Sequence, residues 1–290
     1  MTTMTGGSMG SDATPVALGR HGVWLPHQEI DEDVAAEVER LGYGTLWVGG
    51  SPSSDLEPVA TALAATSRLS VATGIVNIWA APAEEVADAY RRLEAAYPGR
   101  FLLGIGAGHR EANGPEAIKP LQGMREYLDV LDREGVPRDR RVLAALGPKM
   151  LRLSAERAAG AHPYLVNAAH TRSARSELGE GPLLAVEHKV VLGQDLARTR
   201  RDARAGMSFY LKLRNYVANL ERLGFTEQDF ADGGSDTLID DLVAQGSAEN
   251  AATVLDMHLS AGADHVVVQP LPGECDRLGT LARLAPPLTG

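Results

Sequence analysis

A unit of helix, glycine and apolar strand recurs along this chain and restricts the folds open to it. The segments RLGYGTLWVGG (40–50), RAAGAHPYLVNA (157–168) and SAGADHVVVQP (260–270) each end a helical pattern at a glycine and enter an apolar strand one to three residues later. Glycine is the usual residue just past a helix C-terminus. The recurrence indicates helices that return the chain to parallel strands, which is typical of an α/β fold.

Apolar runs of strand length alternate with helical patterns from Val16 onward. Strands are predicted at 16–26, 45–50, 69–76, 101–108, 141–147, 162–168, 183–193 and 265–271. Eight such strands predict an α/β fold of the (β/α)8 TIM-barrel type. An open doubly wound sheet is the rival, but its first strand should be followed by phosphate-binding glycines, and the first strand here is not.

The stretch 194–247 is too long for a single crossover. We therefore predict inserted helices between strands seven and eight of the barrel. The polar segment 1–15 reads as a flexible leader or a remnant of the expression vector, and 16–290 as one domain. The leader has no basic start and no apolar core, so it does not resemble a secretion signal.

Composition excludes several classes of protein. A net charge of −10 over 290 residues argues against a nucleic-acid-binding surface. Cys275 is the single cysteine, so neither a disulfide framework nor a cysteine-based zinc site can form within the chain. No run approaches the ~20 apolar residues of a membrane span. We expect a cytoplasmic protein without a membrane segment, nucleic-acid partner or metal site.

Two segments at predicted strand ends carry the functional signal, because ligands of a (β/α)8 barrel bind there. In FLLGIGAGHREAN (101–113) the glycines remove side chains, so a flat ligand could lie against the strand. The alternative is that the glycines only ease the packing of the barrel or permit a bulge in the strand. In NAAHTRSAR (167–175) a helix begins beside hydroxyl and cationic residues, which is typical of a phosphate site or of an ordinary capped helix.

Nearly the whole chain after Val16 resembles the luciferase-like (bacterial luciferase-type) flavin and deazaflavin oxidoreductases, in particular the branch that uses coenzyme F420. The segments ATGIVNIW, PGRFLLGIGAGH, HTRSAR and AGADHVVVQPL carry the resemblance through their order and spacing. It implies a (β/α)8 barrel with an insertion, a small organic substrate, and coenzyme F420 or, alternatively, FMN. It also implies a homodimer.

The resemblance further implies which residues bind the cofactor. A bulge with a non-prolyl cis peptide after strand three corresponds to Gly74-Ile75, beside the ring. The glycines after strand four correspond to Gly104, Gly106 and Gly108, along the ring and ribityl chain. The segment near the phosphate corresponds to Ala168, Ala169, His170 and Thr171, and Arg175 could add charge there or to the anionic F420 tail.

His109, His27 and Glu111 are the candidate catalytic residues, to exchange a proton or polarise the substrate, and each could equally be a polar residue of a wet barrel rim. Trp24 and Trp79 could line the substrate side of the site, or they could simply pack in the core or at the rim of the barrel. Glu187, His188 and Lys189 interrupt an apolar strand and could reach the mouth, or Lys189 could pair with Glu187.

Relatives that use F420 often have an acidic residue or histidine after strand two, where this chain has Gly49-Gly50-Ser51, and some have a glutamate where this chain has His109. The sequence therefore predicts hydride transfer between the C5 atom of F420 and a substrate, with three alternatives. These are an FMN-dependent luciferase-like monooxygenase, a non-catalytic F420- or flavin-binding barrel, and, ranked last, a barrel hydrolase with paired carboxylates.

Overall fold

The computed structural model describes residues 15–108 and 119–290. Within these ranges the strands all pair in parallel. They are β1 His21–Pro26, β2 Thr45–Gly49, β3 Ser70–Gly74, β4 Val76–Asn77, β5 Phe101–Gly106, β6 Arg141–Leu143, β7 Gly160–Ala161, β8 Leu183–Leu192, β9 Val243–Gly246 and β10 His265–Pro270.

The sheet closes on itself. Strand β1 pairs with β2 and with β10, and β10 pairs in turn with β8, which completes the ring. Strand β4 continues β3 along the same neighbour β5, and β9 extends the ladder at the end of β8. Eight positions therefore make up the wall, and the predicted (β/α)8 barrel is confirmed.

Helices surround this wall. They are α1 Glu32–Arg40, α2 Glu57–Ala64, α3 Ala83–Ala96, α4 Pro120–Arg133, α5 Pro148–Arg157, α6 Ala168–Leu178, α7 Leu196–Met207, α8 Arg214–Arg222, α9 Glu227–Phe230, α10 Asp236–Leu242, α11 Ala248–Ser260 and α12 Arg277–Thr289. Several helices begin just after a residue whose side chain caps them, such as Asp31 before α1 and Ser247 before α11. Gly42 and Gly262 follow α1 and α11 with positive φ angles, as the repeated unit predicts. None of the helices in the described ranges is long and apolar enough to cross a membrane.

Helices α7 to α10 form the predicted insertion between the seventh and eighth strands of the wall. They share an apolar cluster with Val191 at the end of β8, Leu271 just after β10, and Leu165 in the segment after β7. The insertion therefore packs over the carboxyl ends of the strands on one side of the barrel mouth.

The sixth strand of the wall is shorter and earlier than the sequence predicts. We predicted 162–168, whereas β7 covers only Gly160–Ala161 and the following residues cross the mouth as a loop. Pro163 has no N–H to continue a ladder, and Leu165 has a φ of 59°. The loop brings Tyr164 over the barrel interior.

Aromatic and histidine side chains fill the centre of the barrel. The Trp47 ring stacks on His162 with centroids 4.2 Å apart, and its Nε1 donates to His265 Nε2 at 3.1 Å. Burial lowers the pKa of His162 and of His265 to about 4, so both rings are neutral near pH 7. This packed layer closes the barrel beneath its mouth.

Candidate functional site at the barrel mouth

Strand β3 reaches the mouth through a one-residue bulge. Between its two stretches of pairing with β5, the β3 side contributes residues 73–75 and the β5 side only 103–104. Within the bulge the peptide bond between Gly74 and Ile75 is cis. The bulge and the non-prolyl cis bond that the resemblance implies at this position are both present.

Gly104 lies opposite the bulge and serves its packing. Thr73 Oγ1 donates to Gly104 O at 2.7 Å and accepts from the Gly104 N–H at 2.8 Å. A Cβ atom on Gly104 would overlap the Thr73 carbonyl oxygen. Because Thr73 covers the side of Gly104 that has no side chain, a ring cannot lie against Gly104 as predicted. Gly104 instead permits the packing of the bulge, which was the alternative considered for these glycines.

Gly106 lies nearer the mouth, between two apolar side chains. A Cβ atom on it would lie 2.8 Å from Ile75 Cγ1 and 2.9 Å from Ala144 Cβ. Ile75, Ala144, Gly74 and Ala107 are all partly exposed at the carboxyl ends of neighbouring strands. We call Gly74, Ile75, Gly106, Ala107 and Ala144 the small-residue bed. It is a surface against which a planar group can lie.

Gly108 and Trp79 lie beside the bed. Gly108 is exposed with a φ of 56°, a conformation that favours glycine. Trp79 Nε1 donates to Ala107 O at 2.9 Å, and its ring fills the space where Gly123 of α4 has no side chain. Trp79 therefore joins the bed to α4, which is the packing role considered for it rather than that of a substrate wall.

Trp24 flanks the inner side of the bed. Its ring fills the space that Gly49 leaves at the end of β2, and its Nε1 donates to Gly74 O at 2.8 Å. The Trp24 and Tyr164 rings lie 5.9 Å apart at the mouth. Gly49, at the end of β2, thus leaves room for this indole. This is the position at which the resemblance leads one to expect an acidic residue or a histidine.

His27 follows β1 at the mouth and is half-buried. Its Nδ1 lies 3.1 Å from Gly49 O, and because a carbonyl oxygen can only accept, Nδ1 carries the proton of the neutral ring. Nε2 is then the basic nitrogen. The other two candidate catalytic residues, His109 and Glu111, lie outside the described residues.

The first turn of α6 lies at the carboxyl end of the wall beside the loop after β6. Asn167 caps the helix by accepting the His170 N–H at 2.9 Å. Ala168 is half-buried and Ala169 exposed, whereas His170 is buried and its Nε2 donates to Leu146 O at 2.9 Å. The helix start predicted near a phosphate is therefore at the mouth.

Thr171 is fully buried and points away from any such ligand. Its Oγ1 bonds to His258 Nδ1 at 2.7 Å, and His258 Nε2 lies 3.0 Å from His188 Nδ1. The chain of contacts runs from α6 through α11 to the outer face of β8. This corrects the predicted contact between Thr171 and the cofactor phosphate, and it places His188 in the layer between strands and helices.

Arg175 is also corrected. Its guanidinium donates to the carbonyl oxygens of Gly262, Gly179 and Pro182 and forms an ion pair with Asp264. These groups surround the amino ends of β8 and β10, opposite the mouth. One and a half turns of helix separate Arg175 from Ala169, so its cation cannot reach a ligand at the start of α6.

A buried ion pair closes the barrel beneath Tyr164. Lys189 Nζ donates to Glu187 Oε1 at 2.9 Å and to Gln269 Oε1 at 3.3 Å. The same ammonium lies 3.8 Å from the Tyr164 ring centroid and 4.9 Å from that of Tyr210. Burial lowers the pKa of Lys189, and the Glu187 carboxylate opposes that shift. The pairing alternative for Lys189 is thus the one observed.

Tyr164 connects this ion pair to the mouth. Its hydroxyl lies 2.7 Å from that of Tyr210, and burial raises its pKa well above the ordinary value of 10. The phenol therefore stays protonated and can donate a hydrogen bond. Tyr164 is not among the candidates predicted from the sequence, because 162–168 was predicted as a strand. Two features of the sequence could have indicated its position. Pro163 precedes it and interrupts the predicted strand, and Glu187 and Lys189 place polar groups on one face of the neighbouring strand.

In the described ranges no group of three or more histidine, cysteine, aspartate or glutamate side chains is arranged to hold a metal ion.

A bulged third strand, a small-residue bed and a capped helix after the sixth strand thus share one barrel mouth. The model of the family described as luciferase-like monooxygenase matches residues 16–263. The chain belongs to this family. Its barrel, insertion and strand order agree with that membership.

One curated protein is similar to part of this chain in sequence. A 4-hydroxyprotoasukamycin monooxygenase of Streptomyces nodosus subsp. asukaensis is 32% identical over 114 residues, or 36% of this chain and 31% of that protein. This chain thus matches about a third of that relative's length.

Two solved structures share the fold at low identity. The coenzyme F420-dependent tetrahydromethanopterin reductase from Methanopyrus kandleri has a TM-score of 0.74 at 17% identity, over 94% of this chain and 98% of that one. The oxygenating constituent of 3,6-diketocamphane monooxygenase from Pseudomonas putida, in complex with FMN, has a TM-score of 0.64 at 15% identity, over 94% and 98%. Proteins of this fold thus include deazaflavin and flavin enzymes.

Proposed function

We propose that this protein is an oxidoreductase that binds coenzyme F420 at the barrel mouth and transfers a hydride between the deazaflavin and a small organic substrate. The observation that carries the proposal is the small-residue bed. Gly74, Ile75, Ala107 and Ala144 offer partly exposed backbone and uncharged, apolar side chains over three adjacent positions of the barrel wall. A flat, largely apolar ring fits such a surface.

The residues around the bed fit the rest of such a cofactor. The first turn of α6 presents backbone N–H groups at the mouth, and these favour an anionic group. When bound, the deazaflavin would supply or accept the hydride at its C5 atom. The protein orients the reactants and supplies or removes protons.

Within this proposal, each polar residue of the mouth has a distinct task. Trp24 fixes the backbone of Gly74 through its indole N–H. His27, whose Nδ1 donates to Gly49 O, has its Nε2 available to accept a proton or a hydrogen bond. The protonated Tyr164 phenol, which is paired with Tyr210, can donate a hydrogen bond to an oxygen that gains negative charge.

The proposal is tested by fluorescence titration of the cofactor-free protein with F420 and, separately, with FMN. We expect saturation by micromolar F420 and much weaker binding of FMN. The variant Gly106→Val should lose binding, because a valine side chain would displace Ile75 and Ala144 from the bed. Circular dichroism would verify that this variant is folded. Unchanged binding by a folded variant would overturn the assignment of the bed.

A second candidate is an FMN-dependent monooxygenase. It is favoured by the partial likeness to 4-hydroxyprotoasukamycin monooxygenase, at 32% identity. Saturation by FMN with no binding of F420, together with oxygen consumption when reduced FMN is supplied, would establish this candidate in place of the first. If neither cofactor binds, the non-catalytic flavin-binding alternative and both enzyme proposals fail together.

A further inference from the structure

The ion pair of Lys189 and Glu187 is enclosed by its own partners. Glu187 accepts from Lys189 Nζ through Oε1 at 2.9 Å and from the Leu165 N–H through Oε2 at 2.8 Å. The Lys189 ammonium donates to Glu187 and Gln269 and otherwise lies against the Tyr164 ring. Both charged side chains are fully buried. The pair therefore acts on the barrel mouth only through the groups that it touches.

Gln269 links the ion pair to Tyr210. It lies opposite Lys189 in the register of β8 and β10 and is only 5% exposed. Because an ammonium cannot accept a hydrogen bond, Gln269 must turn Oε1 toward Lys189, which leaves Nε2 as its donor. The Gln269 side chain also hydrogen-bonds to Tyr210. The Tyr210 oxygen thus accepts from Nε2, and its own proton remains to be donated.

Two phenol groups cover this network. Tyr164 comes from the loop after β7 and Tyr210 from the insertion, between α7 and α8, and both are partly exposed. Their hydroxyls lie 2.7 Å apart, so one proton is shared between them and the other can be donated to a ligand.

The surroundings of the two phenols make Tyr210 the more acidic one. Burial raises the pKa of Tyr164 well above 10. Burial also raises the pKa of Tyr210, but the hydrogen bonds from Tyr164 and Gln269 oppose that rise. The Arg277 cation opposes it as well. Tyr210 therefore releases a proton more readily than Tyr164, which acts as the donor within the pair.

The phenol pair lies beside the small-residue bed. The Tyr164 ring is 5.9 Å from that of Trp24, and Trp24 in turn donates to Gly74 O at the start of the bed. A reactant that lies against the bed therefore has the two hydroxyls as neighbours across the Trp24 indole.

We propose that the Tyr210 hydroxyl binds the reacting oxygen of the substrate, which is a ketone or an aldehyde, or the corresponding alcohol in the reverse direction. This inference rests on the proposed function. As a hydride from the reduced deazaflavin bonds to the carbonyl carbon, two electrons of the C=O bond move to oxygen, which takes the Tyr210 proton. The Tyr210 oxygen then takes the Tyr164 proton, and solvent reprotonates the pair. Lys189 and Gln269 are positioning residues, because they orient Tyr210 without touching the substrate.

The test uses 4-nitrophenolate as a stand-in for an oxygen that bears negative charge. Its absorbance distinguishes the ionised from the protonated form, and 4-nitrotoluene has a similar shape without the oxygen. Cofactor-free protein would be titrated with each probe, at a pH at which free 4-nitrophenol is ionised, and followed by quenching of tryptophan fluorescence. We expect wild type to prefer 4-nitrophenolate. Tyr210→Phe should weaken its binding about 10- to 100-fold and leave that of 4-nitrotoluene unchanged.

Three further variants define the roles. Tyr164→Phe removes the donor to Tyr210 rather than the group that binds the probe, so it should weaken 4-nitrophenolate by a smaller factor. Gln269→Leu should move the apparent pKa of bound 4-nitrophenol, read from its absorbance, up toward that of the free probe. Tyr43→Phe, at a buried tyrosine away from the mouth, should change neither probe.

The inference is overturned if wild type binds the two probes equally, or if Tyr210→Phe affects both probes alike. A larger effect of Tyr164→Phe than of Tyr210→Phe on 4-nitrophenolate would also overturn the assignment to Tyr210. These titrations need no cofactor. Failure of the protein to bind F420 would therefore refute the proposed function separately, while the probes still decide whether Tyr210 binds a charged oxygen.

Discussion

The indole N–H of Trp24 donates a 2.8 Å hydrogen bond to the carbonyl oxygen of Gly74, the residue whose peptide bond to Ile75 is cis. The bond joins β1 to β3 across the end of β2, where Gly49 leaves room for the indole ring. A side chain of the first strand thus fixes the backbone that begins the small-residue bed.

Trp24→Phe keeps most of the ring but removes this donor. We expect a loss of about 1–3 kcal/mol in the free energy of unfolding, since the Gly74 carbonyl loses its partner, together with weaker cofactor binding. Urea denaturation and fluorescence titration measure the two effects. Tyr43→Phe removes a buried bond to Leu281 O at 2.9 Å, away from the mouth, and should lower stability without changing binding. Equal binding losses in both variants would contradict the role given to Trp24.

Gly104→Ala tests the packing role of the first glycine of β5. The new methyl group would overlap the Thr73 carbonyl oxygen, so the bulge must shift, at a cost of about 1–3 kcal/mol. Gly135→Ala is a comparison at a glycine whose Cβ direction is open, and its cost should come only from a φ of 77°. A Gly104→Ala protein as stable as wild type in urea would show that Thr73 does not need this glycine.

Lys189→Met should destabilise the protein by about 3–5 kcal/mol, because it leaves the Glu187 carboxylate buried without its cation. The double variant Glu187→Gln, Lys189→Met removes both charges and should recover much of that loss. Urea denaturation of the two single variants and the double variant gives the coupling energy between the residues. If the double variant loses as much stability as the two single variants together, Glu187 and Lys189 are not coupled.

Acid should destabilise the fold below pH 6.5. The pKa values of six buried histidines are lowered from 6.5, chiefly by burial: His21, His162, His170, His188, His258 and His265. Because the unfolded chain binds protons at these groups first, stability is complete above pH 6.5 and is lost as the pH falls toward the folded values.

The size of this effect follows from three of these groups. The pKa falls to about 4 for His162, His258 and His265, so each should cost about 2 kcal/mol of stability at pH 5. Urea midpoints measured from pH 7.5 to pH 5 should therefore decline steeply. His162→Gln should flatten the decline, because it removes one of the three groups. A midpoint independent of pH over this range would refute the assignment of neutral buried rings.

Local patterns were sufficient to predict the barrel and the place of the insertion, whereas the bulge at Gly74-Ile75 was implied by the resemblance to the family. The spacing of apolar residues and the glycines that end helices depend on neighbours within a few positions, and they repeat along this chain. The strand boundaries were less exact where a single residue decides them, as Pro163 does at the end of β7.

The partner of a long side chain depends on residues far away in the sequence. Arg175 is bound by Gly262 and Asp264, and Thr171 by His258, so neither is free for the phosphate that their positions beside a helix start suggested.

The sequence by itself therefore determined the architecture and the mouth at which a ligand can bind, because hydrophobic periodicity and glycine positions are local properties of the chain. Only the tertiary structure decided which polar groups face that mouth. Closure of the barrel pairs some side chains, such as Arg175 with Asp264, and brings others, such as Trp24 and Tyr164, together at the mouth. That division depends on distances between segments that the sequence separates by tens of residues.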